Sequence, residues 1–325
     1  MISSKLHSRK SSNTRLFDDV TLSCSRELEK LGFSADVFLT TGGVGVRFLN
    51  DSNLQNLDSL AHLPIKDLDF SKVTELDPES IRGFQLKGLS LPWGCSIPLR
   101  SFKFFNLDRF SAKNCKATDY ESLAILPIEE LNLSGSSVEQ LSFIHSMPLT
   151  KLDLSQTSVL DIRPMGDRPI EKLNLQGTQV DNLTAINSCP LSEINLNQTH
   201  VENLEPLRKC PLIEIQLRKT LVEDLNPLIE TPLERLFLPG SPVRNLNPLT
   251  FCPLKYLNII GLKIDDFSPL FEMDLETLCI SPLELSEEQL SELSHLNIKH
   301  IVGPGDSPEQ SATEFFEKYS GPMNI

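Results

Sequence analysis

A proline recurs along this chain at intervals of 21 residues. Pro64, Pro127, Pro148, Pro169, Pro190, Pro211, Pro232 and Pro253 are separated by 21 or by three times 21, and Gln85, Asn106 and Asp274 fill the remaining places on the same ruler. Most of these residues are followed by Leu or Ile. One coil continues from Pro148-Leu149 through Leu152, Leu154, Thr157, Val159, Ile162 and Met165, and the next repeats the pattern from Pro169-Ile170. A unit this short cannot bury its own apolar face, so copies must stack and share one continuous core.

Each column of the repeat has a physical reading. With the proline as position 0, apolar residues stand at +1, +4, +6, +11, +14 and +17. The +4/+6 pair, Leu173 and Leu175 for instance, has the period of a strand with one buried face. Each coil is therefore expected to donate one short strand to a parallel sheet. At +9 stand Ser136, Thr157, Thr178, Thr199, Thr220 and Ser241. This hydroxyl column is expected to be buried, bonding to the turns above and below it. At +13 stand Asp161, Asn182, Asn203, Asp224, Asn245 and Asp266, and at +16 Pro164, Pro206, Pro227, Pro248 and Pro269. Asx three residues before Pro suits a capped single turn of helix or 3-10 structure rather than a calcium site.

The pattern LxxLxLxx(N/T)xL, carried in one coil by Leu149, Leu152, Leu154, Thr157 and Val159, resembles the leucine-rich repeat family. The usual Asn is Thr or Ser here. The form PLxxLxLxxTxVxxLxPL is similar to short bacterial repeats found alone or attached to serine/threonine kinases. The resemblance covers residues 50–325. It implies a leucine-rich repeat solenoid, an α/β horseshoe or arc. The parallel sheet would line the concave face, short turns or 3-10 segments the convex face, and a cap would close each end. For function it implies a binding surface and nothing more specific.

The ends depart from the ruler. Residues 1–14 are basic and Ser-rich and read as a disordered leader, without the apolar segment of a secretory signal. Residues 15–49 are expected to form an N-terminal cap. A helix from Arg15 to Leu31 would end at Gly32, and a hairpin of Val37–Leu39 and Val44–Leu49 would turn at Thr40–Gly43. The repeats occupy 50–285, degenerate near Trp93 and Phe104-Phe105. Residues 286–325 are expected to form a C-terminal cap: a helix capped by Ser286 and Gln289, a strand over Leu296, Ile298, Ile301 and Val302, and a closing helix or turn with Phe315, Phe316 and Tyr319.

The formal net charge of −14 opposes nonspecific nucleic-acid binding and attraction to an anionic membrane. No run is long and apolar enough for a transmembrane helix. Seven cysteines without CxxC spacing suggest neither a zinc site nor a closed disulfide framework. Cys189, Cys210 and Cys252 each precede a repeat proline and read as small apolar filler. A Cys189–Cys210 disulfide is geometrically conceivable, but free thiols in a reducing cytoplasm fit better.

Catalytic signatures are lacking. Gly42-Gly43-Val44-Gly45-Val46 faintly echoes a kinase glycine loop, but reads better as a hairpin turn. No hydrolase, metalloprotease or phosphate-loop motif occurs, and no catalytic residue, metal ligand or cofactor is expected. The exposed strand face, at +3, +5 and +7, is rich in Asn and Gln in the middle coils, as a solvated ladder of stacked amides would be. The later coils differ. Arg218, Arg235, Phe237, Tyr256, Asn258 and Ile260 have the composition of an interface hot spot, unless the C-terminal cap folds over them. The expected function is non-catalytic protein–protein interaction by a cytoplasmic monomer, with an arc on the order of 50 Å available to the partner. The alternatives are a regulatory or remnant partner of a kinase-type signalling protein, and an enzyme with its site in the N-terminal cap.

Overall fold

The computed structural model describes residues 19–40 and 42–319. The leader assigned to residues 1–14, and residues 15–18 of the expected helix, lie outside the described residues. The chain forms two compact units. One runs to Val138 and includes Ser142–Leu149; the other comprises Glu139–Leu141 and everything from Thr150.

In the first unit, helix α1 (residues 19–30) buries Cys24 and Leu28. Gly32 ends it with φ of 78°. The Phe33 N–H returns to Leu28 O (2.9 Å) and the Gly32 N–H to Glu29 O (3.0 Å), the Schellman arrangement. Leu31, the last residue of the expected helix, lies past the last helical residue and is exposed. Strands β1 (Ala35–Thr40) and β2 (Gly43–Phe48) pair antiparallel with Thr40 opposite Gly43, a tighter hairpin than the expected one. Strand β3 (Ile65–Asp69) joins β2 in parallel. Strands β4 (Gly88–Ser90), β5 (Arg109–Ser111) and β6 (Glu130–Asn132) follow in sequence order, each parallel to the one before.

The second unit carries β7 (Lys151–Asp153), β8 (Lys172–Asn174), β9 (Glu193–Asn195), β10 (Glu214–Gln216), β11 (Arg235–Phe237), β12 (Tyr256–Asn258), β13 (Thr277–Cys279) and β14 (His300–Val302). All neighbours are parallel and in register, so that Leu152, Leu173, Ile194, Ile215, Leu236, Leu257 and Leu278 form one buried column. Translation by one coil carries each apolar residue onto its equivalent, which is why a 21-residue period suffices to build the core. The chain returns through single 3-10 turns such as Glu205–Leu207 and Asn226–Leu228. Their Asx residues stand one place before the N-cap leucines, which make no side-chain cap bond, and brace the entry to each turn instead. Asn203 Oδ1 accepts the Glu205 N–H and Asp224 Oδ1 the Asn226 N–H, at 2.8 and 2.9 Å.

The hydroxyl column is buried, but its bonds run differently from expectation. Thr157, Thr178, Thr199 and Thr220 donate to Leu154, Leu175, Leu196 and Leu217 carbonyls of their own coils, at 2.6 to 2.8 Å. Adjacent coils are already tied by backbone bonds such as Gly177 N–H to Asn197 O (2.8 Å), leaving the hydroxyl its own turn to brace. Ser136 and Ser241 are buried with their hydroxyls unpartnered among the described residues; without the branching methyl, χ1 is free to leave the bonding rotamer. Thr178→Val should therefore lower stability by about 1 kcal/mol. The Leu175 carbonyl retains the Thr178 N–H (3.1 Å), so the loss is one hydrogen bond. An unchanged urea midpoint would show that the hydroxyl contributes nothing.

Two helices flank β14 in the sequence of the second unit. In α2 (Glu287–Leu293), Ser286 and Gln289 form the foreseen reciprocal capping box. Leu296 and Ile298 lie ahead of β14 rather than in it. Helix α3 (Ala312–Tyr319) packs against β14 and buries Phe315 completely. Among the described residues, no helix is long and apolar enough to cross a membrane.

Candidate functional site on the strand face

The outward positions of β8 to β12 form two columns. The first runs Lys172, Glu193, Glu214, Arg235, Tyr256, and the second Asn174, Asn195, Gln216, Phe237, Asn258. In the earlier coils these residues satisfy one another. Lys172 pairs with Glu193, Asn195 Nδ2 donates to Gln176 Oε1 (3.2 Å), and Asn197 Nδ2 donates to Gln216 Oε1 (2.9 Å). The expected amide ladder is therefore present.

The second column also has a structural duty. Its Asx side chain accepts the backbone N–H two residues on: Asn174 from Gln176 (3.1 Å), Asn195 from Asn197 (3.0 Å), Asn258 from Ile260 (3.2 Å). At Phe237 the corresponding donor would belong to Pro239, which has no N–H. The position is thereby released from capping, as Gln216 also is because the Arg218 N–H goes to Asn197 Oδ1 (2.7 Å), and an aromatic ring stands there. This Phe-Leu-Pro exception is visible in the sequence once the capping role of the column is known.

Phe237 and Tyr256 are half-buried neighbours with ring centroids 4.8 Å apart. The Arg235 guanidinium lies over both rings, 5.5 Å from Phe237 and 4.9 Å from Tyr256, and is held from behind by Glu214 Oε2 at 3.0 Å. Such stacking favours the cation while fixing its orientation. The Tyr256 hydroxyl accepts from Cys279 Sγ (3.2 Å). Burial, then that thiol, pushes the phenol up to about 12, so the ring stays neutral across the physiological range.

Arg235, Phe237 and Tyr256 thus form one cluster, with Asn258 and half-buried Ile260 beside it along β12 and its turn. Arg218 is exposed in a turn of the preceding coil, between backbone bonds from Leu217 to Phe237 O and from Lys219 to Pro239 O. The cation over the rings is Arg235. The rings remain partly open to solvent, while α3 lies against β14.

One three-residue strand per coil, a buried aliphatic ladder and a 3-10 return define the leucine-rich repeat fold. A leucine-rich repeat protein of Leptospira interrogans is similar in structure, with a TM-score of 0.53 and 15% identity over 79% of this chain and 82% of that one. An internalin (InlF) of Listeria monocytogenes gives 0.51 and 15% over 80% and 92%, and the leucine-rich repeat domain of APL1B gives 0.50 and 15% over 77% and 85%. No protein-family model matches the chain, and no curated protein sequence does.

Proposed function

We propose that this chain is a non-catalytic interaction module that takes a partner protein on the strand face of its second unit, centred on Arg235, Phe237 and Tyr256. The carrying observation is the half-exposed aromatic pair under a fixed guanidinium, on a face whose other coils spend their side chains on one another. Aromatic and Arg residues on a polar surround are what hot spots are made of. Asn258, Ile260 and Arg218 supply the polar and apolar rim. Residues 15–49 and 286–325 serve as caps to the repeats at 50–285. Seven free thiols support residence in a reducing, cytoplasmic compartment.

The test is comparative capture. The full chain, a Phe237→Ala/Tyr256→Ala variant, and a Phe251→Ala control on an exposed 3-10 turn are presented to lysate of the native host. Proteins held by wild type and control should bind the double variant about 30-fold more weakly, which corresponds to about 2 kcal/mol. Equal capture by all three chains would rule out the cluster as the docking site.

A further inference from the structure

Cys95 and Cys115 lie in the first unit with their sulfurs 3.6 Å apart. They belong to successive coils but not to equivalent positions, being 20 residues apart rather than 21. Cys115 occupies the hydroxyl column at +9, and its N–H bonds to Ala112 O (3.2 Å) as the threonines' N–H groups do in other coils. Cys95 stands one place further along its own coil, just past Gly94 (φ 74°). The Lys116 N–H donates to Cys95 O (2.9 Å), holding the two backbones at hydrogen-bonding distance. Equivalent side chains in stacked coils point the same way and stay one coil apart. The offset of one residue lets these two thiols face each other. Closure to a disulfide, with sulfurs about 2.05 Å apart, takes a movement of about 1.5 Å.

The other thiols provide the contrast. Cys189 donates to Met165 O, Cys210 to Cys189 O and Cys252 to Leu228 O, at 3.6, 3.5 and 3.2 Å. These three are buried, and burial pushes each thiol up. Cys95 is only half-buried, whereas Cys115 is wholly enclosed. The Cys115 thiol hydrogen-bonded to it draws Cys95 down, and the same contact raises Cys115. Cys95 is thus the accessible sulfur and Cys115 its sheltered neighbour.

We propose that Cys95 and Cys115 are a redox-modification site that reacts with low-molecular-weight disulfides and closes a reversible Cys95–Cys115 disulfide. The Cys95 thiolate attacks one sulfur of RSSR; the S–S bond breaks and one thiolate leaves. Cys115 then attacks the Cys95 sulfur of the mixed disulfide. A second thiolate leaves and takes the Cys115 proton. Two protein thiols lose two electrons to RSSR, which becomes two RSH.

The experiment uses the full folded chain and oxidised glutathione, followed by dithiothreitol, read by intact mass and non-reducing peptide mapping. Wild type should lose two hydrogens, with the cross-link mapping to Cys95 and Cys115, and dithiothreitol should restore the starting mass. Cys115→Thr, which installs the residue other coils carry in this column, should stop at one glutathione on Cys95. Cys95→Ala should remain unmodified at Cys115. A wild type that keeps all seven thiols free, a cross-link mapping to other cysteines, or a persistent glutathione adduct on wild-type Cys95 would each overturn the proposal.

Discussion

Replacing Gly88 by alanine is expected to destabilise the first unit by about 3 kcal/mol, the scale of disrupting a largely buried ion pair. Gly88 sits in β4 between Asp67 of β3 and Arg109 of β5. The Arg109 guanidinium reaches across it, placing Nη2 2.9 and 3.0 Å from the two Asp67 oxygens. Only a residue without a side chain leaves that path open. A Cβ on Gly88 would come within 1.7 Å of Asp67 Oδ1 and 3.4 Å of Arg109 Nε. The carboxylate must then swing away, and a guanidinium that is three-quarters buried loses its bonds to Asp67. The check is a double-mutant cycle. Gly88→Ala should cost less than about 1 kcal/mol in an Asp67→Ala background, because the clash is with Asp67 itself. Equal costs in both backgrounds, measured by chemical denaturation, would show that the glycine serves some other purpose.

Leu196→Ala should cost about 3 kcal/mol, within the range for buried leucines whose site cannot collapse. Leu196 is fully buried at +6, between its equivalents Leu175 and Leu217, which are also fully buried. Its truncation leaves a hole that two rigid coils border, and a repeat array transmits such a loss to both neighbours. Leu160→Ala and Leu221→Ala, at exposed positions, should stay within about 0.5 kcal/mol of wild type. If Leu196→Ala behaves like those two in urea, the aliphatic ladder is not the main source of stability.

The fold was legible because every coil repeats one burial problem. Leu173, Thr178 and Asn182 could be assigned to strand, turn and cap from spacing alone, since each role depends only on neighbours in its own coil and on copies above and below. Direction within those roles was harder to read. That the Thr178 hydroxyl turns back to Leu175 depends on the backbone having already satisfied the inter-coil bonds. The positive φ of Gln156, Gln198 and Lys219 was hidden because these side chains do not signal a left-handed turn as glycine does.

The candidate site was legible in composition but not in arrangement. Phe237 and Tyr256 stood out as aromatics on a polar face. Arg218 and Arg235 looked equivalent as cations, and only the packing separates the one over the rings from the one in the turn. The cysteines show the same limit. Cys189 and Cys210 share a position in the repeat and therefore point in parallel. The pair that meets, Cys95 and Cys115, is out of phase with the ruler and lies in the irregular coils.

Period, polarity and capping chemistry are local properties, and they were enough to dictate strand, turn and core in each 21-residue coil. Contacts between residues out of phase with that period were decided by the stacking: Arg109 across Gly88 to Asp67, Arg235 over two rings, Cys95 against Cys115. The reason is geometric. A translational repeat brings like onto like by rule, whereas contacts between unlike positions depend on the side-chain directions and gaps that only the assembled coils create.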